Sequence, residues 1–214
     1  MLKKIKIPKY ILILLALAVV LNIIRIFLFK TDSSLYMFWN IFLALIPLFI
    51  SSILLIYTKR ENMFKPLFII GFIVWFLFLP NAPYVVTDLM HVGKSHVVPV
   101  MFDVFFFYSS ATVALLMGLL SLNQMEKIFL LRFSRKIVNI FIPIILVFTS
   151  FGIYLGRFLR FNSWDLFTSH TSLLYAIWDI FTKGNHYINV YSYTLLFFGF
   201  IYLSYISFKS AIKK

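Results

Sequence analysis

The chain has 214 residues, of which 62% are hydrophobic and only 13% are charged, whereas a soluble domain carries about 25% charged residues. This composition cannot cover a water-facing surface, so we predict an integral membrane protein. The net charge of +13 and the absence of cysteine fit basic loops that meet anionic lipid, with no nucleic-acid partner, no disulfide and no cysteine metal ligand.

Six apolar segments follow one another along the chain and predict an all-α fold with six transmembrane helices in one integral-membrane domain, residues 1–214. The first is a retained helix rather than a cleaved signal peptide, because its apolar run continues for the roughly 20 residues that span a bilayer. Arg25 lies near its far end and is expected to snorkel to the interface. The predicted spans are residues 10–29, 35–57, 64–79, 97–120, 137–156 and 188–208.

The third span is short and ends in a proline-rich break. From Pro66 to Leu79 it measures roughly 21 Å at 1.5 Å per residue, which is less than the thickness of a bilayer core. Pro80 and Pro83 interrupt it, and Asn81 is placed to hydrogen-bond the freed backbone. We therefore predict that the break lies at membrane depth, buried in protein or lining a wet cavity.

Beyond the break the chain becomes helical again and carries polar side chains. Tyr84, Asp88 and His91 are spaced i, i+4 and i+7, so an α-helix would place them on one face. Asp103 then lies about one turn inside the fourth span. A carboxylate in a span costs roughly 2.5–3.5 kcal/mol unless it has partners.

The long loop between the fifth and sixth spans contains a further helical pattern. From Leu166 to Phe181, apolar residues and His170 recur on one face and acidic and hydroxyl residues on another. With 16 residues the segment is too short to span fully. We predict an amphipathic helix in the outer interface.

The distribution of basic residues predicts the orientation. With both termini cytoplasmic, 14 of the 20 lysines and arginines lie inside, as the positive-inside rule requires. All four histidines then fall on the outer side: His91, His96, His170 and His186. The 14 inside residues are Lys3, Lys4, Lys6, Lys9, Lys59, Arg60, Lys65, Lys127, Arg132, Arg135, Lys136, Lys209, Lys213 and Lys214.

Two stretches resemble a family of bacterial multi-pass membrane proteins of unknown function. They are Phe78-Leu-Pro-Asn-Ala-Pro-Tyr-Val-Val-Thr-Asp-Leu-Met-His91 and Gly156-Arg-Phe-Leu-Arg-Phe-Asn-Ser-Trp-Asp165. The likeness covers most of the chain and is clearest from the third span onward. It implies a bacterial cell-membrane location and a multi-pass fold, and it supplies no catalytic residues.

The candidate catalytic residues are the acids and imidazoles on the predicted outer side: Asp88, His91, Asp103 and His170. Asp88 and His91 suit either an acid–imidazole pair or a divalent metal ion, and the alternative is a solvated loop. Asp103 suits a proton relay, a metal ligand or a general base, and the alternative is a structural ion pair with Arg157 or Arg160. His170 either joins them or is a hydrogen-bonded packing residue.

The candidate substrate-binding residues lie at the break and after the fifth span. Arg157 and Arg160, one turn apart, suit a phosphate or carboxylate, and the alternative is headgroup anchoring with neutralisation of nearby acids. The full set is Asn81, Tyr84, Arg157, Arg160, Trp164 and Asp165.

The sequence is compatible with two classes of function. The first is an intramembrane enzyme acting at the outer leaflet on a phosphate-bearing lipid or envelope precursor, which predicts one compact cluster of Asp, His and Arg. The second is a transporter or a membrane-embedded assembly factor. A transporter requires a polar path to the cytoplasm, and the sequence contains none.

Overall fold

The computed structural model describes residues 7–30, 35–60, 65–182 and 188–212, and its regular structure in those ranges is helical. Lys3, Lys4, Lys6, Lys183, His186, Lys213 and Lys214 lie outside the described residues. The helices are α1 (Lys9–Phe29), α2 (Leu35–Arg60), α3 (Pro66–Phe78), α4 (Asn81–Tyr84), a 3₁₀ helix (Val85–His91), α5 (Val100–Phe129), α6 (Arg135–Phe158), α7 (Asp165–Thr168), α8 (His170–Thr182) and α9 (Ile188–Ile212).

Six helical segments of the described chain have the length and hydropathy to cross a membrane. This confirms the predicted all-α, multi-pass architecture. The segments are Lys9–Phe29, Leu35–Thr58, Pro66–His91, Val100–Phe129, Arg135–Phe158 and Val190–Ile212.

The third segment differs from the prediction, because helical winding does not stop at Leu79. Leu79 and Pro80 both keep right-handed helical dihedral angles, and the chain passes through α4 into the 3₁₀ helix. The whole segment, Pro66–His91, therefore has 26 residues. At about 1.5–2.0 Å per residue, this is long enough for a bilayer core about 30 Å thick.

Local hydrogen bonds explain how the winding survives two prolines. The amide of Ala82 donates to the carbonyl of Leu79 at 3.2 Å, a tightened i to i−3 bond, which leaves the carbonyl of Phe78 without its usual α-helical donor. The Asn81 Nδ2 atom donates to that carbonyl at 3.0 Å. The predicted role of Asn81 as a partner for freed backbone is thus present in the structure.

The predicted amphipathic helix between the last two spans is divided in two. Ser169 leaves the helical region with φ −140° and separates α7 from α8. Leu173 and Ile180 of α8 are buried, and Ile180 packs with Tyr154 of α6 and Val190 of α9. His170 is exposed at the first position of α8, so it does not share the buried side of this helix.

By its internal packing the chain divides into two compact units, Met1–Ile128 and Phe129–Lys214; the single domain stays a prediction. The core of the first unit joins α1, α2, the 3₁₀ region and α5 through residues such as Ile11, Met37, Val85, Phe106 and Met117. In the second unit α6 packs with α9.

Close helix contact fixes α4 against α5. A Cβ atom built on Gly118 of α5 would lie 2.8 Å from the Cβ of Ala82 in α4. Only a glycine therefore fits at this point of α5. Ala82 and Pro83 are buried, whereas Pro80 and Asn81 are half-buried. The predicted burial of the proline-rich break is therefore present in its second half, and its membrane depth stays a prediction.

Candidate functional site

Asp103, in the first turn of α5, is fully buried and has both carboxylate oxygens engaged. The Nε atom of Arg25 in α1 donates to Oδ1 at 3.0 Å, and the amide of Gly93 donates to Oδ2 at 3.3 Å. Gly93 has φ +72°, a left-handed conformation that glycine adopts without strain. The carboxylate thus joins α1, α5 and the turn that follows the 3₁₀ helix.

Arg25 occupies a different place from the one expected. We predicted that it snorkels to the interface, whereas it is only 3% exposed and forms the ion pair with Asp103. Its guanidinium carbon lies 4.9 Å from the ring centre of Phe106 and 5.5 Å from that of Phe107. These aromatic faces add cation–π attraction, and the ion pair offsets the cost of burying the charge.

Asp88 is the second buried carboxylate of this region, with 2% exposure. Its Oδ2 atom accepts a hydrogen bond of 2.8 Å from Nδ2 of Asn40, near the start of α2. The Asn40 amide fixes the direction of this carboxyl group. Asp88 is therefore a buried acidic side chain with a defined orientation.

The 3₁₀ geometry changes which residues share a face with Asp88. With three residues per turn, positions i and i+3 lie directly above one another, so Val85, Asp88 and His91 form one row. Tyr84, which an α-helix would have placed with them, is not in this row. His91 is half-buried, and its ring centre lies 6.1 Å from that of Tyr36 and 6.3 Å from that of Phe107.

These contacts form one connected group at one end of the first unit. Phe107 contacts both His91 and the guanidinium of Arg25, and the Gly93 amide bonded to Asp103 follows His91 by two residues. We call this group the polar end cluster. It consists of Arg25, Asn40, Asp88, His91 and Asp103.

The remaining candidates in the first unit have local roles in the backbone. Asn81 is half-buried and bonds the carbonyl of Phe78. Tyr84 is also half-buried, and its carbonyl accepts a hydrogen bond of 2.7 Å from the Thr87 hydroxyl. Their predicted part in substrate binding stays a prediction.

The other candidates belong to the second unit. Arg157 is half-buried in the last turn of α6, and Arg160 is exposed with φ +60°. The Asp165 carboxylate accepts a short hydrogen bond from the backbone N–H of Asn162 at 2.6 Å and another from the Thr168 hydroxyl at 3.1 Å. It thus stabilises α7 and the turn before it. Trp164 and His170 flank that helix.

The sequence predicts a divalent metal ion as one possible ligand of Asp88 and His91. Among the described residues, no group of three or more His, Asp or Glu side chains is close enough to hold a metal ion. Asp88 and His91 together provide two protein ligands, so further ligands would have to come from water or substrate. The metal stays a prediction.

Sequence reasoning missed two members of the polar end cluster. Arg25 and Asn40 are polar residues inside predicted spans, and an ionisable side chain within a span is by itself a signal of function. Their partners, Asp103 and Asp88, are 78 and 48 residues away along the chain. Nothing in the local sequence specifies such pairings.

Comparison with known proteins supplies the family. Neither the curated proteins nor the solved structures include a match to this chain. A family model described as "Protein of unknown function (DUF1361)" matches residues 39–206, which include α3 to α8 and most of α2 and α9. This agrees with the resemblance to a membrane family of unknown function. The chain is an integral membrane protein that belongs to the family DUF1361.

Proposed function

We propose that this protein is an intramembrane enzyme that acts at the outer leaflet of a bacterial cell membrane on a phosphate-bearing lipid or envelope precursor. The observation that carries the proposal is the row formed by Asp88 and His91. Asp88 is buried and oriented by Asn40, whereas His91, one 3₁₀ turn further on, remains partly exposed. A buried acid in the same helical row as a partly exposed imidazole is an arrangement that supports acid–base catalysis.

In this proposal His91 is the group that moves a proton. Its imidazole takes the proton from an attacking hydroxyl, either of water or of an acceptor molecule, and returns it to the leaving oxygen of the precursor. Asp88 stabilises the imidazolium that forms between these steps. The reaction class is therefore hydrolysis or group transfer.

Asp103 has a positioning role in this scheme rather than a catalytic one. Both of its oxygens already accept hydrogen bonds, from Arg25 and from the Gly93 amide. It holds the turn that follows His91 against α5. Phosphate binding by Arg157 and Arg160 of the second unit stays a separate prediction, which rests on the match between guanidinium groups and phosphate oxygens.

The interior of the first unit gives a reason to prefer an enzyme over a transporter. Between Ser110 and Ser121, the buried side chains of α5 form an apolar layer that includes Val113, Ala114 and Met117. A second polar group lies beyond that layer, where the Trp75 Nε1 atom donates to the Ser121 hydroxyl at 2.7 Å. A layer of this kind interrupts a polar path along α5.

The proposal is tested by comparing the lipids and lipid-linked envelope precursors of cells that overproduce the wild type, His91→Ala or His96→Ala. His96 is exposed and five residues further along the chain, so it is the matched control. We expect at least one species whose level changes with the wild type and with His96→Ala. We expect His91→Ala to reduce the rate of that change by about a hundredfold or more, as loss of an acid–base group does.

The amount of each variant in the membrane is measured in parallel. If all three proteins are present at equal levels and no species distinguishes the wild type from His91→Ala, the enzymatic proposal is wrong. If a co-purifying protein is lost with His91→Ala instead, the assembly-factor alternative replaces it.

A further inference from the structure

Asn22 is a buried polar residue that the proposed reaction does not use. It lies in α1 one turn before Arg25, on the same buried side as Ile11 and Ala18. Its exposure is 0%. Neither its Nδ2 atom nor its Oδ1 atom has a hydrogen-bond partner within the described part of the chain.

Two other buried polar groups of the first unit do have partners. Arg25 bonds Asp103, and the hydroxyl of Ser110 in α5 donates to the carbonyl of Phe106 at 2.8 Å. A dehydrated amide with neither donor nor acceptor satisfied is costly in a protein interior, and such groups are normally paired with protein or ordered water. The cost is equally present in a membrane-spanning helix, where bulk water is absent.

We infer that the Asn22 amide is a binding site for a hydroxyl group held inside the first unit. A hydroxyl can accept a hydrogen bond from Nδ2 of Asn22 and donate one to Oδ1, the two amide atoms that have no partner among the described residues. The guest is neutral, because the amide carries no charge and the adjacent Arg25 and Asp103 charges already compensate each other. The hydroxyl belongs either to an internal water molecule or to a hydroxyl-bearing lipid. Of these two alternatives, only the lipid rests on the proposed function.

Asn22→Leu tests this inference, because leucine has the branched shape of asparagine without its polar atoms. Replacing an unsatisfied amide by an apolar group of the same shape is neutral or stabilising. Replacing an amide that binds a guest removes hydrogen bonds and lowers stability. Ser110→Ala is the control for loss of a buried polar group that needs no guest.

The thermal unfolding midpoint is measured for the wild type and both variants, first after delipidation in detergent and then after adding back total membrane lipid. A midpoint several degrees lower for Asn22→Leu in both conditions identifies water. A lower midpoint only with lipid present identifies a lipid hydroxyl. A midpoint equal to or higher than the wild type in both conditions overturns the inference.

A second measurement covers the case in which Asn22→Leu does not accumulate. A cryo-EM or crystallographic map of the wild type in lipid should contain density within about 3.2 Å of both amide atoms of Asn22. A map that resolves the Phe106 and Phe107 rings but has no density at that place overturns the inference. Neither result depends on the His91 variants, so failure of the enzymatic proposal is separately visible.

Discussion

Asp103→Asn is the sharpest perturbation of the polar end cluster. The variant keeps an oxygen that accepts from Arg25, but it removes the negative charge from a fully buried position. Its amide nitrogen also replaces the acceptor of the Gly93 amide, so two donors then face each other. Arg25, 3% exposed, is left as a buried charge without its counter-charge.

The expected loss of stability follows from that burial. Removing one partner of a buried ion pair costs about 3–5 kcal/mol. For a chain of 214 residues, this corresponds to a fall of roughly 10 °C in the unfolding midpoint. The measurement is thermal unfolding of the purified protein in lipid nanodiscs, with Asp165→Asn as the control. Among the described residues, the Asp165 carboxylate bonds to its own helix and the turn before it, and its loss should cost about 1 kcal/mol.

The double variant Arg25→Met, Asp103→Asn separates the ion pair from other effects. If the pair carries the stability, removing both charges should recover a large part of the loss, because no uncompensated charge remains buried. An unchanged midpoint for Asp103→Asn would refute the reasoning, since it would mean that Arg25 reaches water or another anion at little cost. Equal losses for the single and double variants would refute it as well.

Two further predictions concern the helix contact and the orientation. Gly118→Ala should lower the unfolding midpoint, because overpacking against Ala82 costs about 1–3 kcal/mol and exceeds the helix-propensity gain. Gly199, which has open space around it, provides the control, and Gly199→Ala should be neutral or stabilising. Equal effects of the two substitutions on the midpoint would contradict the close contact. Reporter fusions after Lys94 should be active outside the cell and fusions after Lys136 inside, and the reverse pattern would overturn the proposed orientation.

The secondary structure of this chain could be read from its sequence to a large extent. Apolar runs long enough to cross a bilayer are visible in the sequence itself, because every residue that faces lipid must be apolar. The end of the third span differs from the prediction, because the two prolines do not stop the helical winding. At Pro80 and Pro83, tightened hydrogen bonds and the Asn81 side chain continue the winding, and that compensation depends on geometry rather than composition.

In the candidate site, the sequence identifies individual polar residues but not the partners that they bond. Asp88, His91 and Asp103 stand out in the sequence because polar residues are rare in an apolar chain. Their partners could not be inferred, and the sequence-based choice of Arg157 or Arg160 for Asp103 contrasts with the Arg25 pair in the structure. Arginines at the edge of a span look alike in sequence, whether they reach the interface or turn inward.

The sequence by itself determined that this is a helical membrane protein with six spans, since hydropathy is a local property summed over about 20 residues. Tertiary structure alone decided that Arg25 meets Asp103, that Asn40 orients Asp88 and that Asn22 has no partner among the described residues. It also decided that 3₁₀ winding leaves Tyr84 out of the row that Asp88 and His91 share. Such pairings depend on which helix faces meet, and helices distant in sequence meet only when the chain is packed.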